Sequence, residues 1–147
     1  MERPAYNHEY HQALVYKIFL ACKTSKECVT FEQALELIRN VHILTRGLKQ
    51  IVFLVGWQFD GHDSKYPSWA QVNQRLGRAQ DKDARESLLW LMEQARSYNA
   101  TVSLHINMCD AYENSPLWDE YKRNDLFIRS QDGSLAMSAV VLVLDRT

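Results

Sequence analysis

Gln50-Ile51-Val52-Phe53-Leu54-Val55-Gly56-Trp57 is a nearly unbroken apolar, β-branched run that ends on a glycine. Such a run suits a parallel strand covered on both faces, because an antiparallel strand with one wet face alternates polar and apolar residues. Two further runs flank it: Ala13-Leu14-Val15-Tyr16-Lys17-Ile18-Phe19-Leu20-Ala21 before, and Thr101-Val102-Ser103-Leu104-His105-Ile106-Asn107 after. Helical patterns separate the three. Thr30-Phe31-Glu32-Gln33 offers a threonine cap with a glutamine reaching back, and Phe31, Leu35, Ile38 and Val41 then recur at helical spacing. Gly47 is the expected stop, since glycine takes the left-handed conformation cheaply. A second helix is expected over about residues 83–98, capped by Asp81 or Asp83, with Leu88, Leu91, Met92 and Ala95 on one face.

Strand, helix, strand, helix, strand predicts an α/β fold with a parallel sheet and right-handed crossovers. The closed (β/α)8 TIM-type barrel and the open doubly wound sheet compete. No G-x-G-x-x-G or Walker glycine pattern follows a strand, which weakens the nucleotide-binding open sheets. Polar loops after the second and third strands favour the barrel, whose chemistry sits at the C-terminal ends of its strands. A complete barrel takes about 250 residues, and this chain has 147, so only the first three to four strand–helix units are expected. Residues 139–147, apolar at first, read as a fourth strand. The whole chain reads as one partial barrel over residues 1–147: a fragment, a truncated product or half of an assembly. Its uncovered edges would allow self-association.

Charge narrows the partners. Seventeen lysines and arginines against eighteen aspartates and glutamates leave a formal charge of -1, with no basic cluster interleaved with aromatics. That excludes a bulk electrostatic case for nucleic acid or an anionic membrane. No apolar run approaches the roughly 18 residues of a membrane span. Residues 1–8 lack a secretory apolar segment. With three cysteines at no metal or redox spacing, the reading is a cytoplasmic chain with reduced thiols, or an extracellular one if it belongs to a longer secreted protein.

The strongest local feature is Gly56-Trp57-Gln58-Phe59-Asp60-Gly61-His62-Asp63-Ser64, at a strand's C-terminal end. Two glycines permit the backbone angles that let its side chains converge. Trp57, Gln58, His62 and Asp63 supply what a sugar needs: an aromatic face plus hydroxyl donors and acceptors. On the next strand His105 and Asn107 share a face, with Asp110 just beyond. A solvated loop and a hydrogen-bonded core histidine are the plainer alternatives. His62, Asp63, His105 and Asp110 could alternatively ligate zinc or manganese, although no HxH, H-E-x-x-H or CxxC spacing is present. His105 near Cys109 leaves a thiol nucleophile open. Trp90 and the helix charges read as packing and solvated faces; Tyr112 and Trp118 either seal the rim or extend a saccharide platform.

The run Gly56–Ser64 resembles the strand-end motif of endo-α-N-acetylgalactosaminidases. Tyr98-Asn99-Ala100 through His105-Ile106-Asn107, with Asp110-Ala111-Tyr112, is similar to that family's next strand and loop. Together these cover roughly residues 50–135 in the right order. The resemblance implies a retaining glycoside hydrolase on a (β/α)8 barrel that releases O-linked disaccharide from mucin-type glycoproteins. It implies that His62 and Asp63 hold hydroxyls of an N-acetylgalactosamine ring. Substrate-binding candidates are therefore Trp57, Gln58, His62, Asp63, His105, Asn107 and Asp110. The family's aspartate nucleophile and glutamate acid/base lie on later strands and have no counterpart here, so catalytic residues stay unassigned. No cofactor or metal is implied; the partner is carbohydrate.

Overall fold

The computed structural model describes residues 9–138 and 141–143. Its main sheet has three parallel strands in the order β1 (Ala13–Phe19), β2 (Lys49–Val55) and β3 (Ala100–Leu104). The crossovers are α1 (Phe31–Leu44) and α2 (Ala84–Arg96), which pack against one another. Val15 pairs with Ile51 and Ile51 with Thr101, so pleat positions align across all three strands. The α/β class and the element order expected from the apolar runs are those observed.

Alternation along each strand separates two faces. Tyr16, Ile18, Val52, Leu54, Val102 and Leu104 join the apolar cluster under the helices, with Phe31, Ala34, Ile38, Leu88, Leu91 and Ala95 above them. Gln50 is fully buried on this face. Its amide donates to the carbonyls of Ile38 (3.3 Å) and Tyr98 (3.1 Å), and its oxygen accepts from the Tyr16 hydroxyl at 2.7 Å. That polar knot ties both strands to both crossovers, and burial pushes Tyr16 up to about 12. On the opposite face, Val15 and Phe19 of β1 are exposed.

Both helix starts follow from sequence. Thr30 accepts from the Gln33 N–H while the Gln33 side chain accepts from the Thr30 N–H, and Asp83 caps α2 through the Glu86 N–H. The end of α1 departs from expectation. Arg46 (φ 55°) takes the first left-handed position, and Gly47 follows at φ 87° with its N–H on the His42 carbonyl at 2.8 Å. This is a Schellman closure in which an arginine bears the strain that glycine was expected to relieve.

Beyond β3 the chain leaves the parallel sheet. β4 (Asp110–Ala111) precedes α3 (Trp118–Arg123), and β5 (Met137–Ser138) and β6 (Val141–Val143) follow. The fourth-strand expectation for 139–147 is therefore corrected where it can be compared. Val141–Val143 is a strand, but it pairs antiparallel between β4 and β5 in a separate small sheet. Residues 139–140 and 144–147 lie outside the described residues. No helix among the described residues is long and apolar enough to cross a membrane.

Replacing Thr30 with alanine is expected to cost about 1 kcal/mol, the usual value of a helix N-cap, read as a lower urea midpoint with an unchanged slope. Gly56→Ala is expected to cost on the order of 3 kcal/mol or more, because a Cβ there would lie 2.0 Å from the Ala21 carbonyl oxygen at φ 78°. Gly133→Ala is the control: its φ is also positive, but no atom lies within 4 Å of the added carbon. It should lose only the roughly 1–2 kcal/mol of a left-handed residue.

Candidate functional site

At the end of β2, Gly56 turns the chain sharply and the rim loop folds back onto the end of β1. The His62 N–H donates to the Ala21 carbonyl at 2.8 Å, and Cys22 and His62 form a parallel bridge. Gly61 (φ 119°) also presses on Ala21, where a Cβ would come within 2.7 Å of backbone atoms. Phe59, Asp63 and Lys65 all have positive φ. Asp63 sits in the left-handed region that aspartate tolerates better than most residues, whereas Phe59 there is an outlier. Strain of this kind persists only where surrounding bonds over-determine the loop. Here they do. Gln58 donates to the Gly61 carbonyl (3.1 Å), Ser64 to Asp60 (3.1 Å), the Phe59 N–H to Gln71 (3.0 Å) and the Asn73 N–H to Trp57 (2.8 Å).

This packing turns two of the expected sugar contacts, Trp57 and Gln58, inward. Trp57 is 5% exposed, lies in the main core cluster, stacks on Trp69 with centroids 6.3 Å apart, and donates its indole N–H to the His105 carbonyl at 2.9 Å. Gln58 is fully buried inside the loop. Gly56 carries the chain off the pleat, so residues after it no longer follow strand alternation. Both side chains brace the rim from within.

The remaining candidates gather at the strand ends. The imidazoles of His62 and His105 lie 5.8 Å apart, and Phe19 meets His62 edge-on at 5.5 Å. His62 Nε2 is 3.4 Å from Asp63 Oδ1; both side chains are partly open to solvent. Asn107 donates to the Asp110 carboxylate, and its own carbonyl accepts from the Cys109 N–H at 3.0 Å. Asn107 also lines a groove of about 490 Å³, together with Pro67, Trp69, Leu117, Tyr121 and Leu126. His62, Asp63, His105 and Asp110 do not assemble as metal ligands: among the described residues no three His, Cys, Asp or Glu side chains converge to hold an ion.

Sequence reasoning passed over Tyr66 and undervalued Tyr112. Tyr66 is fully buried, with its hydroxyl 3.1 Å from His62 Nδ1. Its carbonyl accepts from the Tyr112 N–H at 3.0 Å, and the two rings are 5.7 Å apart. Lys23 lies 4.7 Å over the Tyr112 ring. Burial raises both phenols; at Tyr66 hydrogen bonds from the Asp63 N–H and the Gln58 side chain offset part of the rise, and the carboxylates of Asp63 and Asp110 add to it at both rings, taking Tyr112 to about 12. Both carboxylates therefore act on one tyrosine pair, and both phenols keep their protons at neutral pH. The available signal was Tyr66 lying three and four residues after Asp63 and His62 in the same loop. Trp118 stacks on Phe127 in the second small core, which favours the sealing role.

Burial lowers the His105 pKa below 6.5, with Lys17 and His62 pushing the same way and Asp63 opposing. The unfolded chain then binds more protons than the folded one as pH falls through the imidazole range. Stability from His105 is present above pH 6.5 and lost as pH falls through the lowered folded value. Urea unfolding of wild type and His105→Asn at pH 7.5 and 5.5 is expected to show a smaller acid loss in the variant.

Against known proteins, the model of the endo-alpha-N-acetylgalactosaminidase family matches residues 1–133. Among solved structures, the ligand-free alpha-N-acetylgalactosaminidase NagBb from Bifidobacterium bifidum aligns at TM-score 0.68 and 17% identity, over 90% of this chain and 23% of that one. An alpha-amylase from Lactobacillus plantarum aligns at 0.58 and 16%, over 90% and 31%. TtGalA, an alpha-galactosidase from Thermus thermophilus, aligns at 0.54 and 16%, over 89% and 24%. At such identities the likeness is one of fold, and the chain spans less than a third of each of these structures. The family match covers far more than half of the chain. This chain belongs to the endo-alpha-N-acetylgalactosaminidase family of glycoside hydrolases.

Proposed function

We propose that this chain is the opening part of a (β/α)8 glycosidase barrel whose rim binds N-acetylgalactosamine-containing O-glycans. The observation that carries the reading is the His62–Asp63 pair, held on a strained, fully braced loop at the end of β2 and facing His105 at the end of β3. Strand C-terminal ends are where barrel enzymes place substrate. Asp63 offers a carboxylate to sugar hydroxyls. The His62 and His105 rings offer nitrogen donors and acceptors, and Phe19 offers an exposed ring.

Hydrolysis of the α-glycosidic bond with retention belongs to the completed barrel. It needs two carboxyls about 5–5.5 Å apart, one as nucleophile and one as proton donor. Neither role is assigned to Asp63 or Asp110, because each is already engaged: Asp63 with His62, Asp110 with Asn107. Recognition is the part of the activity that these residues serve.

Saturation-transfer NMR with N-acetylgalactosamine is expected to give ligand signals with the folded chain. Asp63→Asn should weaken binding roughly ten- to a hundredfold, since a hydrogen bond to a charged group is worth about 1.5–3 kcal/mol. Unchanged ligand spectra with folded wild-type protein would overturn the reading.

A further inference from the structure

His62 has two ring nitrogens, and the buried hydroxyl beside it decides which one bears the proton. The Asp63 N–H points at the Tyr66 oxygen at 3.4 Å. With its oxygen accepting there, the Tyr66 hydroxyl has its own proton to give, and His62 Nδ1 lies 3.1 Å away. The Gln58 side chain also lies against Tyr66 and pulls its pKa down, the sign of an amide N–H directed at the phenol oxygen, while the Gln58 oxygen itself accepts no hydrogen bond. Tyr66 itself has no access to solvent, so no water competes for its proton. A neutral imidazole that accepts at Nδ1 must carry its hydrogen on Nε2. Nε2 is the atom that faces Asp63 Oδ1, at 3.4 Å.

We infer that Tyr66 is a positioning residue: it sets His62 in the Nε2–H form, so that the imidazole turns its N–H edge to Asp63 and draws that carboxylate into place for a sugar hydroxyl. Hydrogen bonds run from the Asp63 N–H to the Tyr66 oxygen and from the Tyr66 hydroxyl to Nδ1, and the Nε2–H edge then stands 3.4 Å from the Asp63 carboxylate. In the opposite tautomer, a bare Nε2 lone pair would face a carboxylate oxygen, and Asp63 would swing away. The rest of the surroundings leave the tautomer alone. Phe19 and His105 meet the ring edge-on at 5.5 and 5.8 Å, and the His62 N–H is spent on Ala21. The consequence for sugar binding rests on the function proposed above, whereas the tautomer does not.

The test uses Tyr66→Phe, which deletes the hydroxyl and keeps the ring. Nitrogen-detected NMR of the imidazoles, above their titration range, should show His62 of the wild type as Nε2–H and the variant shifted toward Nδ1–H or a mixture. N-acetylgalactosamine should bind the variant about three- to tenfold more weakly, the usual worth of one neutral hydrogen bond. An Nδ1–H signal in the wild type overturns the assignment, and it does so even if the variant does not fold. An unchanged tautomer in folded Tyr66→Phe also overturns it, as does full sugar affinity in a variant whose tautomer has moved. If neither protein binds the sugar, the proposed function fails, and the nitrogen spectra still decide the role of Tyr66.

Discussion

The carbonyl of Ala21 is the point on which the site depends. Two segments of the rim loop reach it, Gly56 at the end of β2 and Gly61 five residues on, and neither position leaves room for a side-chain carbon. The same oxygen accepts the His62 N–H. Backbone contact this close fixes the loop against the end of β1 without any flexible intermediary. The histidine that follows is therefore delivered to one place relative to Phe19 and His105. An alanine at either glycine would force the loop outward, and His62 and Asp63 with it.

This contact is available only because β1, β2 and β3 are parallel and in register. Parallel strands end on the same side, so the three loops that follow them meet. An antiparallel β1 would place the Ala21 end on the far side of the sheet. The register is set on the helix-covered face, where the buried Gln50 is satisfied by Tyr16, Ile38 and Tyr98 and a one-residue slip would leave its amide without partners. The helix-side packing thus specifies the geometry of a site that contains none of its residues. Trp57 carries that order to the neighbouring strand, since its ring is in the core and its N–H holds the carbonyl of His105.

The strands and helices were legible in the sequence because each is a run whose periodicity the fold keeps: unbroken apolar for β2, 3.6-residue spacing for α1 and α2, and a capping box at Thr30. Val141–Val143 was legible as a strand but not in its pairing. A short apolar run looks the same whether its partner is a parallel neighbour or the two-residue β4 and β5. At the site, His62, Asp63 and His105 were found from residue type and position, and the structure brings them together. The burial of Trp57 and Gln58 was not legible, because residue type in a loop does not report which side chains the loop turns inward once Gly56, at positive φ, ends the pleat. Tyr66 escaped notice because its importance comes from a hydrogen bond inside the loop, and residue spacing does not report which way a buried hydroxyl points.

The electrostatics of the assembled rim follow from the same packing. Burial keeps Tyr66 and Tyr112 protonated and holds His105 toward its neutral form. The carboxylates of Asp63 and Asp110 are then set among two protonated phenols and the His105 ring, with Lys17 acting on His105 and Lys23 over the Tyr112 ring. An anionic ligand would meet two carboxylates first, and a cationic one would find an electronically rich but sterically braced loop without a cage of aromatic faces. An uncharged polyol suits this arrangement better than either. Its hydroxyls can donate to the carboxylates and accept from the neutral ring N–H and O–H groups, so every polar atom that it covers is repaid by a hydrogen bond. The pairing of buried polar groups that sets the register at Gln50 is the same physics that such a ligand would have to satisfy at the rim.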